Sequence, residues 1–234
     1  MTNKSLNAED YKEGQVILID KPLEWTSFQV VNKMRWLIRQ AFGIKKIKVG
    51  HAGTLDPLAS GLLIICTGKF TKKIDTYQAQ EKEYTGTFTL GATTPSYDLE
   101  TEVDQTFDIS QLTSEEIKAA IPQFLGEIQQ QPPVFSALKK DGKRLYEFAR
   151  NGEEVDIPFR TVTISEFKIT KIDLPKVDFR VVCSKGTYIR SLANDFGKAL
   201  DNGAHLSALR RTKIGEFSVE NALSINTFEA SLPS

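Results

Sequence analysis

A single aspartate, Asp56, is the residue in this sequence whose surroundings best suit chemistry. It lies in the segment Gly-His-Ala-Gly-Thr-Leu-Asp-Pro-Leu-Ala-Ser-Gly-Leu-Leu at positions 50–63. The preceding stretch, 25–55, contains no Asp or Glu. Its basic residues are Lys33, Arg35, Arg39, Lys45, Lys46 and Lys48. A lone carboxylate at the edge of a cationic surface indicates chemistry on a polyanion whose phosphates face the basic side chains.

Motifs for several other chemistries are missing from the sequence. It contains no Gly-x-x-x-x-Gly-Lys-Ser/Thr loop, no Gly-x-Gly-x-x-Gly, no His-Glu-x-x-His, no Cys-x-x-Cys and no Gly-x-Ser-x-Gly. Two scattered histidines and two scattered cysteines do not predict a zinc site. A carboxylate is therefore the best candidate for a catalytic residue. Asp before Pro is also a common turn, so the dipeptide at Asp56 does not decide its role.

Length and charge allow one large domain or two small ones. The chain has 234 residues, with 40% hydrophobic and 26% charged residues, which is typical of a globular protein with a real core. The formal net charge is zero, but the basic stretch lies in the first third and residues 81–116 are rich in acids. Charge separated in this way can steer an anion to one face.

Cysteine usage and hydropathy favour the cytoplasm. Cys66 and Cys183 lie in apolar, strand-like runs, which predicts buried thiols in a reducing compartment. The first residues have no apolar signal core, and no apolar run approaches the length of a membrane span. We expect no membrane partner.

The pattern of apolar residues and turn residues predicts mixed helices and strands. Residues 1–13 are expected to form a flexible leader. A helix should begin at Thr26 or Ser27 and end at Gly43, and residues 50–61 should form a loop. Residues 62–67 fit either a buried strand or a short core helix. Strands are predicted at 15–19, 83–90, 162–170, 177–183 and 214–219, and further helices at 114–125, 144–150, 187–200 and 203–211.

A second basic and aromatic cluster lies in an extended segment. Pro132 and Pro133 exclude a regular helix within 129–143. The cluster consists of Lys139, Lys140, Lys143, Arg144 and Tyr146. This segment could close over RNA, and an ordinary surface loop has the same composition.

The motif at 50–63 closely resembles the catalytic motif of the TruB family of tRNA pseudouridine synthases. Further matches follow in the family's order over about 14–223. They are Asp20-Lys21-Pro22 with Thr26-Ser27, Glu83-Tyr84, Ser136 to Lys139 with Gly142 to Tyr146, Cys183 to Arg190, and Gly203 to Leu206 with Leu209 to Arg211. Several long matches in one order are far more specific than a single short pattern.

The resemblance implies that Asp56 is a nucleophile that attacks a uridine at C6 of the base or at C1′ of the ribose. The sequence leaves both routes open. It implies that Arg190, whose planar fork can orient a carboxylate, is its partner, and an ordinary ion pair at a helix start is the alternative. Tyr84 would stack on the extruded uracil and assist removal of the C5 proton, or else pack on the buried face of a strand.

The resemblance also implies residues that bind substrate. His51 would hold the RNA loop once the uridine has left its stack, and a structural histidine is the equal alternative. Leu209 would line the pocket or belong to the apolar core. The remaining residues assigned to substrate or RNA binding are Lys21, Gly53, Thr54, Tyr188, Lys139, Lys143 and Arg144.

The family's fold is α+β, with a central, mixed, largely antiparallel sheet, flanking helices and an active-site cleft. We expect one catalytic domain over 14–234 with an RNA-clasping loop near 129–152, and no separate PUA domain. The expected activity is isomerisation of the tRNA T-loop uridine at position 55. No cofactor or metal is expected, because isomerisation needs no redox change. No guide RNA or obligate protein partner is expected, because the relatives that work with guide RNAs carry the additional PUA domain. The rival interpretation is an RNA-binding module or tRNA folding chaperone with incidental or lost catalysis.

Overall fold

The structure is a computed structural model that describes residues 6–136, 138–140, 142–150, 153 and 155–233. Where the sequence predicts one domain, the chain divides into two compact units. The first unit comprises the described residues of 1–83 and 210–234, and the second those of 84–209. Within the described part of the chain, no helix has both the length and the apolar character that a membrane span requires.

The elements alternate between short helices and strands along the chain. The helices are α1 (Ala8–Glu13), α2 (Ser27–Phe42), α3 (Ile74–Ala79), α4 (Ser114–Ala119), α5 (Leu145–Arg150), α6 (Ile189–Ala199) and α7 (Ile225–Ala230). The strands are β1 (Val16–Lys21), β2 (Val49–Ala52), β3 (Ala59–Thr67), β4 (Lys82–Leu90), β5 (Ala92–Thr93), β6 (Gln105–Thr106), β7 (Gly126–Gln130), β8 (Lys139–Lys140), β9 (Lys143–Arg144), β10 (Arg160–Asp173), β11 (Lys176–Cys183), β12 (Ala204–Ile214) and β13 (Phe217–Ser218). Short 3₁₀ helices lie at Gly68–Lys73, Ile121–Phe124 and Val219–Asn221.

In the first unit, β3 pairs antiparallel with both β1 and β2. Leu63 and Ile65 belong to a core cluster with α2, whereas Leu62 and Ile64 belong to a second cluster. Alternate residues of a strand point to opposite faces, so both faces of β3 are buried. This explains why its sequence is a continuous apolar run, and it shows that 62–67 is a strand rather than a core helix.

Helix α2 has the ends that the sequence predicts. The Thr26 side chain accepts a hydrogen bond from the Gln29 amide, and the Gln29 side chain accepts one from the Thr26 amide, which forms a capping box. Gly43 ends the helix in the left-handed region with φ 60°. The buried side of α2 consists of Ser27, Val30, Val31, Met34, Leu37 and Ile38.

In the second unit, β4, β11, β10 and β7 are neighbours in that order. Strand β12 pairs with β4. β10 pairs antiparallel with both β11 and β7. The core contains a cluster of phenylalanine rings, in which Phe88 and Phe179 stack with centroids 4.1 Å apart. The cluster consists of Phe88, Phe124, Phe167, Phe179 and Phe196. The fold is α+β with a mixed sheet and flanking helices, as expected.

The helix predicted at 203–211 is wrong, because these residues belong to strand β12. The local sequence, rich in Ala and Leu, fits a helix, but strand pairing overrides this preference. Strand β12 pairs with β3 and β4, and its residues 204–209 belong to the second unit whereas residues 210–214 belong to the first.

Two other predictions need correction. Residues 8–13, expected to belong to a flexible leader, form α1, because Asn7 and Asp10 build a capping box and Tyr11 is buried against Phe42 with ring centroids 5.5 Å apart. The helix predicted at 114–125 ends at Ala119 and continues as a 3₁₀ turn around Pro122, which lacks the amide that an α-helix requires. Cys66 and Cys183 are buried, as expected.

Candidate active site

Asp56 lies at the corner of a turn between β2 and β3. The Ala59 amide donates a hydrogen bond to the Asp56 carbonyl at 3.1 Å, which closes the turn, and the aspartate is half-buried. Gly53 and Gly61 flank this turn with φ of 84° and 102°, where a side chain is strained. A Cβ at Gly61 would lie 2.3 Å from the Arg211 carbonyl oxygen. Gly53 therefore lets the chain turn after β2, and Gly61, within β3, lets that strand approach the Arg211 backbone closely.

Ser27, the first residue of α2, fixes the residue that precedes Asp56. Its Oγ accepts a hydrogen bond from the Leu55 amide at 2.8 Å and donates one to the Leu55 carbonyl at 3.0 Å. The serine is only 2% exposed. Both backbone groups of Leu55 are thus tied to the start of a well-capped helix, so the orientation of the turn depends on α2.

Lys21 at the end of β1 is completely buried. Its Nζ donates hydrogen bonds to the carbonyls of Pro22 at 2.9 Å, Trp25 and Pro57 at 3.4 Å. Burial lowers the pKa of Lys21 to about 8, the negative charge of Asp56 opposes that shift, and the positive charge of Arg211 adds to it. Lys21 is therefore a cation close enough to Asp56 for the two charges to interact.

Arg211 in β12 holds the motif from its other side and is only 1% exposed. Its Nε donates to the Leu62 carbonyl at 2.8 Å, Nη2 to the Gly53 carbonyl at 3.0 Å and Nη1 to the Thr54 carbonyl at 3.5 Å. The planar guanidinium can bind carbonyls in fixed directions, so it sets the shape of the backbone before Asp56.

The sequence interpretation did not assign a role to Arg211. The signal that could have found it is the pair Arg210-Arg211 within a strand, because neighbouring strand residues point to opposite faces. Arg210 points to the other face and pairs with Asp20, with Nη2 2.7 Å from Oδ2 and Nη1 3.0 Å from Oδ1. One of two adjacent strand arginines must lie on the buried face.

His51 in β2 is partly buried, and its Nδ1 has no hydrogen-bond partner within the described residues. Burial lowers the pKa of the imidazole, Arg211 lowers it further, and a hydrogen bond to the Gly53 backbone opposes both effects. The ring is therefore neutral at pH 7 and lies beside the motif backbone. Lys21, His51, Gly53, Thr54 and Asp56 are thus brought together in the first unit.

In the second unit, Arg190 lies in the first turn of α6 and is 4% exposed. Its Nη1 lies 3.5 Å from Oδ2 of Asp98 and donates a hydrogen bond to the Phe135 carbonyl at 2.8 Å. The sequence interpretation did not select Asp98. An ordinary acid in a polar loop carries no distinguishing sequence signal, and only the fold brings it beside the arginine.

Tyr188 directly precedes α6 and is held by a buried amide. The Gln130 side chain accepts from the Tyr188 amide at 2.7 Å and donates to the Tyr188 carbonyl at 3.0 Å. The Arg160 guanidinium lies 5.7 Å from the Tyr188 ring centroid. This double hydrogen bond fixes the backbone two residues before Arg190.

The other predicted site residues lie elsewhere in the second unit. Tyr84 in β4 is largely buried, with 9% exposure, and Leu209 in β12 is half-buried rather than a fully buried core residue. Lys143 is exposed, and its Nζ lies 5.7 Å from the Phe148 ring centroid.

The predicted RNA-clasping loop is described in part. Lys139 and Arg144 pair across β8 and β9. Their side chains lie outside the described part of the structure, as do those of Lys140 and Tyr146. Residues 137, 141, 151, 152 and 154 lie outside the described residues altogether.

The first-unit geometry presents a carboxylate at a fixed turn, with the cation of Lys21 close enough to interact with it and Arg211 bound to the backbone that precedes it. Such a carboxylate can act as a nucleophile or a base on a neutral substrate group. Among the residues that the structure describes, no group of three or more His, Cys, Asp or Glu side chains is arranged to hold a metal ion.

Solved structures show which class of protein has this fold. The chain superposes on a Cbf5–Nop10–Gar1 complex with a TM-score of 0.69 and 30% identity, over 96% of this chain and 56% of that chain. An H/ACA RNP bound to a substrate RNA containing 2′-deoxyuridine gives 0.67 and 28%, over 98% and 59%. This chain therefore spans little more than half the length of those chains. Its fold is that of the pseudouridine synthases.

Matches to family models and to relatives identify the family within this class. Residues 39–189 match the TruB family pseudouridylate synthase N-terminal domain, and residues 190–233 match the tRNA pseudouridylate synthase B C-terminal domain. The chain is 64% identical to tRNA pseudouridine synthase B of Flavobacterium johnsoniae, over 97% of this chain and 100% of that protein. It is 55% identical to the protein of the same name from Phocaeicola vulgatus, over 94% and 93%. The chain belongs to the TruB family of pseudouridylate synthases.

Proposed function

We propose that this protein converts the uridine at position 55, in the T-loop of tRNA, to pseudouridine, with Asp56 as the nucleophile. The observation that carries the proposal is the construction of the Asp56 turn. Ser27, Lys21 and Arg211 hold the backbone on both sides of this one carboxylate. Family membership supports the reaction, and the relatives' names support tRNA as the substrate.

The reaction is an isomerisation in which every atom of the uridine is retained apart from exchange of protons. The Asp56 carboxylate attacks C6 of the uracil or C1′ of the ribose, and the bond between N1 and C1′ breaks. The detached base rotates and forms a bond between C5 and C1′, and the bond from Asp56 to C6 or C1′ breaks, which regenerates the carboxylate. The proton on C5 is lost and N1 gains one, so no electrons are transferred. The uridine must leave its stack, because the carboxylate cannot otherwise reach these atoms.

The surrounding cations explain how Asp56 stays ready to react. A nucleophilic carboxylate must be ionised, and the positive charge of Lys21 interacts favourably with its negative charge. The buried hydrogen bonds of Ser27 and Arg211 keep the backbone in one conformation before substrate arrives, which limits the entropy cost of reaching the reactive geometry. For the second unit, the proposal keeps the roles that the family resemblance implies for Tyr84, Tyr188, Arg190 and Leu209.

The proposal includes catalysis without a guide RNA or a protein partner, in the cytoplasm. The structural neighbours are complexes that contain Nop10, Gar1 or RNA. By contrast, this chain matches almost the full length of the tRNA pseudouridine synthase B proteins. The assay therefore uses the purified protein and one RNA.

The test replaces Asp56 with Asn, which keeps the shape of the side chain and removes its nucleophilic charge. We expect D56N to form no pseudouridine above background while binding tRNA within about threefold of wild type, since the turn is held by backbone hydrogen bonds. Pseudouridine is mapped by position in an unmodified tRNA transcript, and binding is measured by fluorescence anisotropy. D75N, an exposed aspartate on α3 of the same unit, is the matched control and should keep full activity.

Two results would contradict the proposal. Substantial turnover by D56N would remove Asp56 from the role of nucleophile. Conversion by wild type at a uridine outside the T-loop, with position 55 left unmodified, would exclude the proposed substrate position. Wild-type protein that binds tRNA and forms no pseudouridine would favour an RNA-binding module or a tRNA folding chaperone.

A further inference from the structure

The basic stretch before the catalytic motif folds into one continuous surface of the first unit. A cavity of about 410 Å³ lies at the end of α2 and in the loop that follows it. Its lining consists of Arg35, Arg39, Lys45, Lys46, Ile47 and Lys48. All of its charged groups are positive, so a ligand that fills it must carry negative charge.

These cations differ from other lysines of the same unit in their partners. Lys12 lies 3.4 Å from Glu9, Lys33 lies 3.4 Å from Glu229, and Lys69 lies 2.7 Å from Glu13. By contrast, Arg39, Lys45, Lys46 and Lys48 are exposed, and no carboxylate of the described residues lies within ion-pair distance of them. Lys33, although part of the same basic stretch, thus belongs to a different, neutralised face.

Arg35 is the most rigid member of this surface. Its Nη1 donates to Asn32 Oδ1 at 2.7 Å, and its Nη2 donates to the Val49 carbonyl at 3.1 Å. These bonds hold the guanidinium against β2, which leads directly into the catalytic motif. Both of these bonds go to neutral acceptors, so neither acceptor offsets the positive charge of the guanidinium.

The surface extends along α2 toward Asp56. Phe28, Asn32, Arg35 and Arg39 recur at spacings of four, three and four residues, which places them on one face of the helix. Phe28 is 64% exposed and directly follows Ser27, the residue that holds Leu55. From Phe28 to Arg39 the helix rises about 16 Å, at 1.5 Å per residue. The strip therefore begins beside the catalytic turn with an aromatic ring and ends in the basic cavity.

A nucleic-acid backbone fits this strip better than a small anion does. A single small anion would use one or two cations, whereas these are spread over the end of a helix and a loop. RNA supplies a row of phosphates at regular spacing, and its unstacked bases bind to exposed aromatic rings. The second unit has a larger cavity of about 580 Å³. It does not select for anions, because it is lined by Asp104 and Asp201 as well as Lys198.

We propose that Phe28, Asn32, Arg35 and Arg39 on α2, together with Lys45, Lys46 and Lys48, bind the RNA backbone that flanks the uridine held at Asp56. This inference rests on the proposed function for the identity of the RNA. The cations contact phosphates, and the Phe28 ring stacks on a base close to the reacting uridine. The surface contributes affinity, and the chemical step remains with the catalytic motif.

The experiment compares two variants that remove equal charge from the same unit. K45Q/K46Q/K48Q removes the lysines of the proposed surface, and K12Q/K33Q/K69Q removes three lysines that have carboxylate partners. Each phosphate contact contributes about 0.7 to 0.9 to the slope of log K against log salt. We therefore expect the first variant to bind tRNA at least tenfold more weakly at about 0.1 M salt, with a slope smaller by about 2. The second variant should stay within about twofold of wild type, because paired surface charges contribute little.

The role of Phe28 is tested separately, because stacking and charge have different salt dependence. F28A should raise KM by about tenfold and leave both kcat and the salt slope unchanged, since stacking releases no counterions. F159A is the matched control, because Phe159 is also 64% exposed and lies in the other unit. Equal effects of F28A and F159A would remove Phe28 from the proposed surface.

Binding and pseudouridine formation are measured as separate quantities, so the two proposals can fail independently. Equal losses of affinity in the two lysine variants, or an unchanged salt slope in K45Q/K46Q/K48Q, would overturn the surface. A wild-type protein that forms no pseudouridine would overturn the proposed function, while the difference between the two lysine variants would still decide the surface. The proposed surface is supported if K45Q/K46Q/K48Q binds tRNA more weakly than wild type while its kcat is unchanged.

Discussion

Among the side chains that the structure describes, each unit buries one arginine, and the two arginines are held in different ways. Arg211 in the first unit is 1% exposed and donates to three backbone carbonyls, those of Gly53, Thr54 and Leu62. Arg190 in the second unit is 4% exposed, lies 3.5 Å from the carboxylate of Asp98 and donates to the backbone carbonyls of Phe135 at 2.8 Å and Ser96 at 3.5 Å.

The difference shows what each arginine controls. Because Arg211 binds carbonyls, it determines the path of the backbone just before Asp56, and a shorter cation could not reach all three acceptors. Because Arg190 lies beside a buried carboxylate, its environment depends on charge balance. Breaking a buried ion pair destabilises a protein far more than breaking an exposed one. Arg211 should therefore be sensitive to shape, and Arg190 to the charge of Asp98.

Neutralising Asp98 is expected to give the largest effect. The side chains of Asp98 and Arg190 are 7% and 5% exposed, so D98N removes a negative charge from a buried pair. Asn keeps the oxygen that accepts from the Glu100 amide at 3.0 Å, so the loop itself is preserved. We expect the free energy of unfolding to fall by about 3 kcal/mol, measured by urea denaturation.

The matched control is D173N in the same unit. Asp173 pairs with Lys171 at 3.1 Å, with side chains 72% and 64% exposed. An exposed pair contributes less than about 1 kcal/mol, so D173N should be almost neutral. If D98N were as mild as D173N, the buried pair would not govern the environment of Arg190.

Shortening Arg211 is expected to give the next largest effect. R211K keeps the charge, but an ammonium cannot reach the carbonyls of Gly53, Thr54 and Leu62 together. We expect a loss of about 2 kcal/mol in the free energy of unfolding. We also expect a kcat about 100-fold lower, because the Asp56 turn loses its fixed shape. Urea denaturation and single-turnover pseudouridine formation measure the two quantities.

The neighbouring residue provides the control for that experiment. R210K alters an ion pair with Asp20 in which the arginine side chain is 41% exposed. It should change stability by less than about 1 kcal/mol and leave kcat within about threefold of wild type. Equal effects of R210K and R211K would show that the motif backbone does not depend on the carbonyl contacts of Arg211.

The same comparison explains what the sequence could predict. The Asp56 motif is a continuous segment with glycines at positions of positive φ, so its lone acid can be found without a structure. The loop predicted over 50–61 is shorter in the structure, because residues 50–52 belong to β2 and residues 59–61 to β3. The apolar runs predicted β1, β4, β10 and β11, because strand periodicity is local, and they left β3 open between a strand and a short helix. The confirmed α+β fold, however, was implied by the family resemblance, since the strand patterns do not determine the order of strands in a sheet.

What the sequence could not predict depends on distant partners. Residues 203–211 have the composition of a helix, and only their pairing with β3 and β4 makes them a strand. Because the sequence predicts a helix for these residues, it does not place Arg211 on the buried face of a strand. Asp98 and Gln130 were missed for a similar reason, because each acts on a residue more than fifty positions away along the chain.

Lys21 offers the finest test, because it is the buried cation near Asp56 whose charge pH can remove. Burial lowers the pKa of Lys21 to about 8. As pH rises through about 8, the folded protein loses the ammonium charge that interacts with Asp56. We expect the kcat of wild type to fall several-fold over this range. K21Q should have a lower kcat that does not fall over the same range.

Stability should change in the opposite direction over the same range. An unfolded lysine keeps its proton up to about pH 10.5, while folded Lys21 loses it near pH 8. The unfolded state therefore binds more protons between these values, so this group raises the free energy of unfolding as pH rises. The measurement is the difference between wild type and K21Q, by urea denaturation and by kcat, from pH 7 to pH 10. Identical pH dependence of the two proteins would show that the charge of Lys21 does not act on Asp56, and the shape contacts of Arg211 would then account for the turn without it.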